Sequence, residues 1–438
     1  MSLASLLAGL RDRPIFRGAA AAMLISAGSL ATGFAVQVSL ARLLGHENYG
    51  AYAFAFACVN VAAIFCKFDL DTTATRFGGT YSAHGDWPRF RILARSLLQW
   101  TLGISVGIVA LAGGALALFR SAMLPATLTV LLHALVILPP MALLTVSSGL
   151  LQSTGRVVAA QFPNSLLRSL VFLGIIVVLG FWVRLLSAEG AILANSAGTA
   201  LALGLSLFLL YRGIPRGEAH AAVVATDRAE WFRTAQGALL VNIGQIVLST
   251  QTDVVLLGIF TSKREAGFYS VAAQLSSLAL LGVVAIQTVV GPRIAALYAS
   301  GDLTGLQSLV DKVRRGSLLV TLPVLAGLVV GGPWILGVFG PEFVHGSYRP
   351  LVILALANLN APLVGSLGGF LLTLTGHQAV AARIVGISAV AYFALAFVLG
   401  PLYGPEGIAT TTLVAYLIRA ALIYWYAKRR VGIDLLGV

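Results

Sequence analysis

"LLQSTGRVVAAQ" at residues 150–161 and "LLTLTGHQAVAAR" at residues 371–383 share two leucines, a Thr-Gly pair and an alanine-rich exit. The surrounding chain is mostly Leu, Ala, Val and Gly, so the polar interruption stands out twice. Thr154-Gly155 and Thr375-Gly376 lie 221 positions apart, close to half of the 438 residues. Further matches follow at nearly the same offset. Arg76 opens "RFGGTYSAHGD" and Arg293 opens "RIAALYASGD", each with a tyrosine five residues on and a closing Gly-Asp. "GAYAFAFA" from Gly50 pairs with "GFYSVAAQ" from Gly267, and "AEGA" (188–191) with "PEGI" (405–408), both at 217. The order is preserved throughout, so the chain reads as one unit written twice.

Hydrophobic residues make up 58% of the chain and charged ones only 10%, against about a quarter charged in soluble domains. Mean hydropathy is +0.92. Apolar stretches of about 20 residues recur, each long enough as a helix to cross a hydrocarbon core of roughly 30 Å. No alternating strand pattern of a barrel is present. The chain is therefore expected to be an all-α polytopic membrane protein with about 12 transmembrane helices. They centre near residues 30, 62, 106, 138, 172, 200, 245, 278, 325, 361, 390 and 416. The apolar stretch from Gly18 to Leu44 is too long for a cleaved leader and reads as the first span.

Six spans per half is an even number, so the second copy enters the membrane in the same sense as the first. That predicts two parallel six-helix repeats around a central cavity. The expected boundaries are an N-terminal six-helix bundle over residues 1-211, a cytoplasmic linker over 212-232 and a C-terminal six-helix bundle over 233-438. The two opening stretches become turns between spans four and five and between spans ten and eleven, with glycine ending a helix at each.

A formal charge of +13 would suggest nucleic acid in a soluble protein, but its distribution along the loops excludes that here. Twenty of the 29 Lys and Arg fall in one set of loops and six in the alternate set, which places both termini in the cytoplasm. The remaining three, Lys67, Arg168 and Arg419, lie inside spans. Cys58 and Cys66, eight residues apart on one helix, are about 12 Å apart and too far to bridge. His133 has no neighbouring Cys, Glu or second His to complete a metal set. No nucleophile elbow, P-loop or dinucleotide fingerprint occurs. The expectation is a non-enzymatic protein with no metal and no cofactor.

The repeat, with "LARLLGHENYGAYAFAFA", "RFGGTYSAHGD", "LLQSTGR", "DVVLLGIFTSKREAGFYSVAAQ" and "PRIAALYASGD", resembles the polysaccharide export and O-antigen flippase family. That family sits in the multidrug, oligosaccharidyl-lipid and polysaccharide flippase superfamily, and the resemblance covers nearly the whole chain. It implies a flippase that moves a lipid-linked oligosaccharide, usually on undecaprenyl pyrophosphate, across a bacterial cytoplasmic membrane for cell-surface polysaccharide synthesis. It also implies a polysaccharide polymerase and glycosyltransferases as functional partners, and a chain working as a monomer. The alternative within the superfamily is a cation-coupled multidrug or small-molecule exporter.

A pyrophosphate headgroup is a concentrated anion, so the basic residues are the first candidates for holding it. Arg76 and Arg293 are repeat equivalents at the ends of spans two and eight. They either grip the headgroup or anchor helix ends under the positive-inside rule. Arg168 and Arg419 stand inside spans, where a charge costs roughly 2.5 to 3.5 kcal/mol on insertion scales. They either face a cavity or snorkel to the interface. Span seven carries a polar stripe of Asn242, Gln245, Ser249 and Thr252, and span one a weaker one of Ser26, Ser29, Gly33 and Gln37. Gln37, Asn242, Gln245 and Ser249 are candidates for sugar hydroxyls, with interhelical hydrogen bonding as the structural alternative. For ion coupling or gating the candidates are Lys67, Asp69, Asp71 and Asp253. Lys67 and Asp71 are spaced for an ion pair on one helix face, while Asp69, Thr73 and Arg76 form one stripe of span two, with Asp71 pointing elsewhere.

Overall fold

Hydrocarbon offers no partner for a backbone N–H or C=O, so apolar runs in a membrane close their hydrogen bonds internally as helices. The computed structural model describes residues 14–122, 125–183, 186–215 and 225–437. In chain order its helices are α1 (Pro14–Lys67), α2 (Leu70–Ala83), α3 (Trp87–Leu118), α4 (Pro125–Ser153), α5 (Val157–Gly180) and α6 (Ala188–Gly213). Then follow α7 (Ala225–Val247), α8 (Thr250–Phe260), α9 (Lys263–Ser277), α10 (Leu281–Ala299), α11 (Leu303–Gly337), α12 (Pro341–Leu374) and α13 (Gln378–Tyr426).

Nine helical stretches among the described residues are long and apolar enough to cross a membrane. Two of these, α1 and α13, reverse within themselves. In α1 the turn is at Gly45, with φ 70°. Beyond it the Tyr49 hydroxyl donates to Gln37 Oε1 at 2.8 Å, although twelve residues of straight helix would put the two about 18 Å apart. In α13 the turn is at Gly404, with φ 56°. Each of these helices therefore crosses twice. With α7 and α8 forming one crossing and α9 and α10 another, the described residues make twelve, six in each half.

Identical turn chemistry marks the repeat. Gly85 and Gly301 take φ 69° and 73°. The following Asp86 and Asp302 amides reach back to the Tyr81 and Leu297 carbonyls at 2.9 and 3.1 Å, a Schellman closure that needs glycine in the left-handed region. Each aspartate then caps the next helix, Asp86 accepting from the Arg89 amide at 3.1 Å and Asp302 from the Gly305 amide at 2.8 Å. Gly155 and Gly376, from the opening stretches, are left-handed too, with φ 76° and 83°.

The chain forms two compact units, Met1–Leu240 and Val241–Val438. They part inside α7. The start of α7 belongs to the first unit: Trp231 and Ala235 are fully buried in one cluster with Leu70, Phe90, Leu93 and Leu150, and Trp231 Nε1 donates to the Tyr81 hydroxyl at 3.2 Å. Residues 216–224 of the expected linker lie outside the described residues. In the second unit the chain after α13 docks on α11: Gln307 and Asp434 exchange two hydrogen bonds at 2.7 and 2.8 Å, and Ile433 and Leu435 are buried in the core.

The reversal in α13 depends on Gly407, because a Cβ there would fall 2.0 Å from the Leu399 carbonyl oxygen. Gly407→Ala is expected to destabilise the protein by about 1–3 kcal/mol, the cost of overpacking, read as a lower unfolding midpoint in detergent. Gly204→Ala, whose Cβ would meet nothing within 4 Å, is the control and should not lower the midpoint.

Candidate functional site

The second unit holds a buried carboxylate at a broken helix. Between α7 and α8, Ser249 is extended (φ −100°, ψ 152°), which interrupts the helical ladder inside the seventh crossing. At the break Ile246 O accepts from the Ser249 amide at 2.9 Å and from Thr252 Oγ1 at 2.7 Å, and Leu248 O accepts from the Tyr416 hydroxyl at 3.4 Å. One turn further on, Asp253 is 3% exposed. Tyr269 of α9 donates to its Oδ2 at 2.5 Å, Tyr392 of α13 donates to its Oδ1, and Thr412 donates to its Oδ2 at 3.3 Å. Tyr392 and Thr412 reach one carboxylate from opposite sides of Gly404 only because α13 doubles back.

Thr412, Tyr416 and Arg419 follow at i, i+4 and i+7, which puts them on one face of α13. Arg419 lies beside Gly369, where a Cβ would come 3.5 Å from its Nη2. Its Nε is buried with no hydrogen-bond partner among the described residues. A polar strip therefore runs along the second unit from a satisfied carboxylate to a guanidinium with spare donors.

The first unit contains the counterpart with the charge removed. Tyr52 and Asn195 precede Tyr269 and Thr412 by 217 positions, and Asn195 Nδ2 donates to the Tyr52 hydroxyl at 3.1 Å. Val36 stands at the position equivalent to Asp253. Asn195 Oδ1 is left buried without a partner. The first unit also carries Arg168 inside its fifth crossing, of opposite sign to Asp253.

A second ionic group of the first unit lies where α1 ends and α2 begins. Phe68 and Asp69 both take left-handed conformations, with φ 48° and 54°, an uncommon state for residues other than glycine, costing on the order of 1–3 kcal/mol each. Lys67 pairs with Asp71 at 2.8 Å, as its spacing predicts, and also lies 3.9 Å from Asp69. Asp69 is 1% exposed and accepts from Thr72 Oγ1 at 3.0 Å. The expected continuous stripe of Asp69, Thr73 and Arg76 is corrected here. The break turns Asp69 toward Lys67, so both carboxylates share one ammonium.

The other candidates are dispersed. Arg76 and Arg293 are exposed, Arg76 lying over the Phe77 ring at 5.3 Å. Gln37 is engaged by Tyr49, and Ser29 of the same stripe donates to the Ser165 carbonyl at 3.1 Å, so this face joins helices. Asn242 and Ser249 are half-buried on the seventh crossing, and the Gln245 side chain lies outside the described residues. Tyr269, Tyr392, Thr412 and Tyr416 were not anticipated. The offset of 217 already pairs Tyr269 with Tyr52, and the i, i+4, i+7 spacing before Arg419 was a second available signal.

The family model for "Polysaccharide biosynthesis protein" matches residues 16–298. A sequence comparison with curated proteins returns no match. Among solved structures, the chain is similar to an inward-facing multidrug resistance MATE family transporter of the MOP superfamily. The TM-score is 0.79 at 14% identity, covering 92% of this chain and 94% of that one. It is also similar to a MOP superfamily transporter from Pyrococcus furiosus whose binding pocket is described as reversed in polarity, with TM-score 0.66, 14% identity and 97% of each chain covered. The lipid II flippase MurJ, inward closed, aligns with TM-score 0.67 at 15% identity over 93% of this chain and 87% of that one.

Removing a donor from Asp253 leaves a buried acceptor short of a partner, which costs about 1–3 kcal/mol. Tyr392→Phe and Tyr269→Phe are each expected to lower the unfolding midpoint in detergent. Thr412→Val, which loses a longer hydrogen bond, is expected to lower it least.

Proposed function

The chain belongs to the polysaccharide biosynthesis protein family, and from that premise we propose that it flips an anionic lipid-linked oligosaccharide, carried on a polyprenyl pyrophosphate, by alternating access. It is a multi-pass membrane transporter. The observation that carries the substrate class is the sign of the charge left unspent inside the spans. Arg168 and Arg419 form no ion pair among the described residues, although a charge within the membrane costs roughly 2.5 to 3.5 kcal/mol. A pyrophosphate would repay that cost with charge-assisted hydrogen bonds. The carboxylates, by contrast, each have a partner: Asp253 accepts from three hydroxyls, and Asp69 and Asp71 share the Lys67 ammonium, Asp71 through Oδ2 with its Oδ1 left without a hydrogen bond among the described residues.

On this reading Arg168 and Arg419 hold the headgroup within the membrane, and Arg76 and Arg293, exposed at helix ends, attract it. Gln37, Asn242, Gln245 and Ser249 are assigned to sugar hydroxyls, Gln37 through its amide N–H groups and the second lone pair of the oxygen that accepts from Tyr49. Asp253 and the Lys67, Asp69 and Asp71 group are assigned to coupling or gating. The membrane is the bacterial cytoplasmic membrane with both termini inside. The protein works as a monomer beside a polysaccharide polymerase and glycosyltransferases. Carrying two negative charges outward from a negative interior releases about 4.6 kcal/mol at 100 mV, so the membrane potential alone is a sufficient driving force.

The second reading, a cation-coupled exporter of cationic amphiphiles, is favoured by the buried Asp253. Proteoliposomes separate the two. Flipping of a defined lipid-linked glycan is expected to rise with an inside-negative potential. It should fall about tenfold in Arg168→Ala and Arg419→Ala, the factor for about 1.4 kcal/mol, at unchanged unfolding midpoint. Glycan flipping that both variants leave untouched, together with efflux of a cationic dye lost in Asp253→Asn, would sink the flippase reading.

A further inference from the structure

Small side chains where helices meet leave space that neighbouring chains cannot fill. In the first unit the leg of α1 after Gly45, together with α3 and α4, places Ala55, Ala112, Ala115 and Ala134 opposite one another. They leave a half-open cavity of about 320 Å³, completed by Cys58 and Phe119. Apart from the Cys58 thiol, no hydrogen-bonding side chain lines it. A bound water needs two to four polar partners, so this cavity is not a water site. A sugar would fare no better, for the same reason. In a membrane the medium that reaches such a space is hydrocarbon.

The rim supplies a charge. Phe119 is 57% exposed at the end of α3, and the next residue, Arg120, is exposed and begins a short turn, Arg120–Ala122. Arg120 forms no ion pair among the described residues. Ala55 lies ten residues past the Gly45 turn, about 15 Å along the helix, so the cavity occupies one leaflet with Arg120 at its headgroup edge. An apolar slot whose lining ends one residue before an exposed arginine complements a hydrocarbon chain ending in a phosphate. The volume is at the low end of the roughly 300–1,000 Å³ range of ligand sites, which suits one acyl chain rather than a long polyprenyl chain. We propose that this cavity seats an acyl chain of an anionic phospholipid whose phosphate is held by Arg120, a lipid site separate from the residues assigned to the transported headgroup.

The test uses the full protein in vesicles of phosphatidylcholine and phosphatidylglycerol containing a trace of phosphatidylglycerol with a photoreactive acyl chain. Cross-links are expected to concentrate on residues 109–119 and 131–138. Unlabelled phosphatidylglycerol should compete with the probe better than phosphatidylcholine does. Filling the cavity with Ala112→Trp should abolish the concentration of cross-links on these two stretches, because the indole occupies the space that the acyl chain would take. Arg120→Gln, at an exposed position that leaves packing intact, should cut it about fivefold, the weight of one cation near an anionic headgroup. Labelling spread evenly over the apolar surface, insensitivity to Arg120→Gln, or displacement by polyprenyl phosphate but not by phospholipid would each overturn the site.

Discussion

A helix that breaks inside hydrocarbon strands backbone groups that no solvent can satisfy, and each stranded group costs several kcal/mol. At the break at Leu248–Ser249 the Ile246 carbonyl accepts from the Ser249 amide and the Thr252 hydroxyl, and the Leu248 carbonyl accepts from the Tyr416 hydroxyl. Tyr416 belongs to the second leg of α13, so satisfying this one interruption requires α13 to fold back at Gly404. The same fold-back carries Tyr392 and Thr412 to Asp253. The broken crossing, the internal reversal and the buried carboxylate are therefore one construction, and each part would be costly without the others.

The two halves share their scaffold and diverge in charge. Reversals closed by Gly85 and Gly301 use the same hydrogen bonds and the same aspartate caps. Tyr52 and Tyr269 occupy equivalent positions, each bonded by the residue at the equivalent site on the sixth or twelfth crossing or by the carboxylate beside it. Yet Val36 stands where Asp253 does, so the position that is a buried carboxylate in the second unit is apolar in the first. Both units nonetheless keep a positive charge inside a span, Arg168 in the first and Arg419 in the second, and a buried carboxylate, Asp69 in the first and Asp253 in the second.

Much of the fold was legible without coordinates. Span number follows from hydropathy, because the thickness of the bilayer sets helix length. Helix reversals follow from glycine before an aspartate or after a threonine, because only glycine enters the left-handed region freely. The candidate site was legible in part. Lys67 and Asp71 were spaced to meet and do, but the left-handed Phe68 and Asp69 are invisible to periodicity, since neither residue type marks a break. That one local departure moved Asp69 from a stripe with Arg76 to a shared cluster with Lys67.

The amino-acid sequence by itself determined that the chain spans a membrane repeatedly, that its helices come in two equivalent sets of six, and where most of them turn. Those properties rest on burial of apolar surface and on residues whose backbone preferences are local. Only the tertiary structure decided which polar groups meet. Asp253 finds Tyr269, Tyr392 and Thr412 across 16, 139 and 159 residues of chain, and Trp231 joins the first unit through Tyr81 across 150. Such pairings depend on how helices pack, and a linear spacing rule reaches only about two turns along one helix.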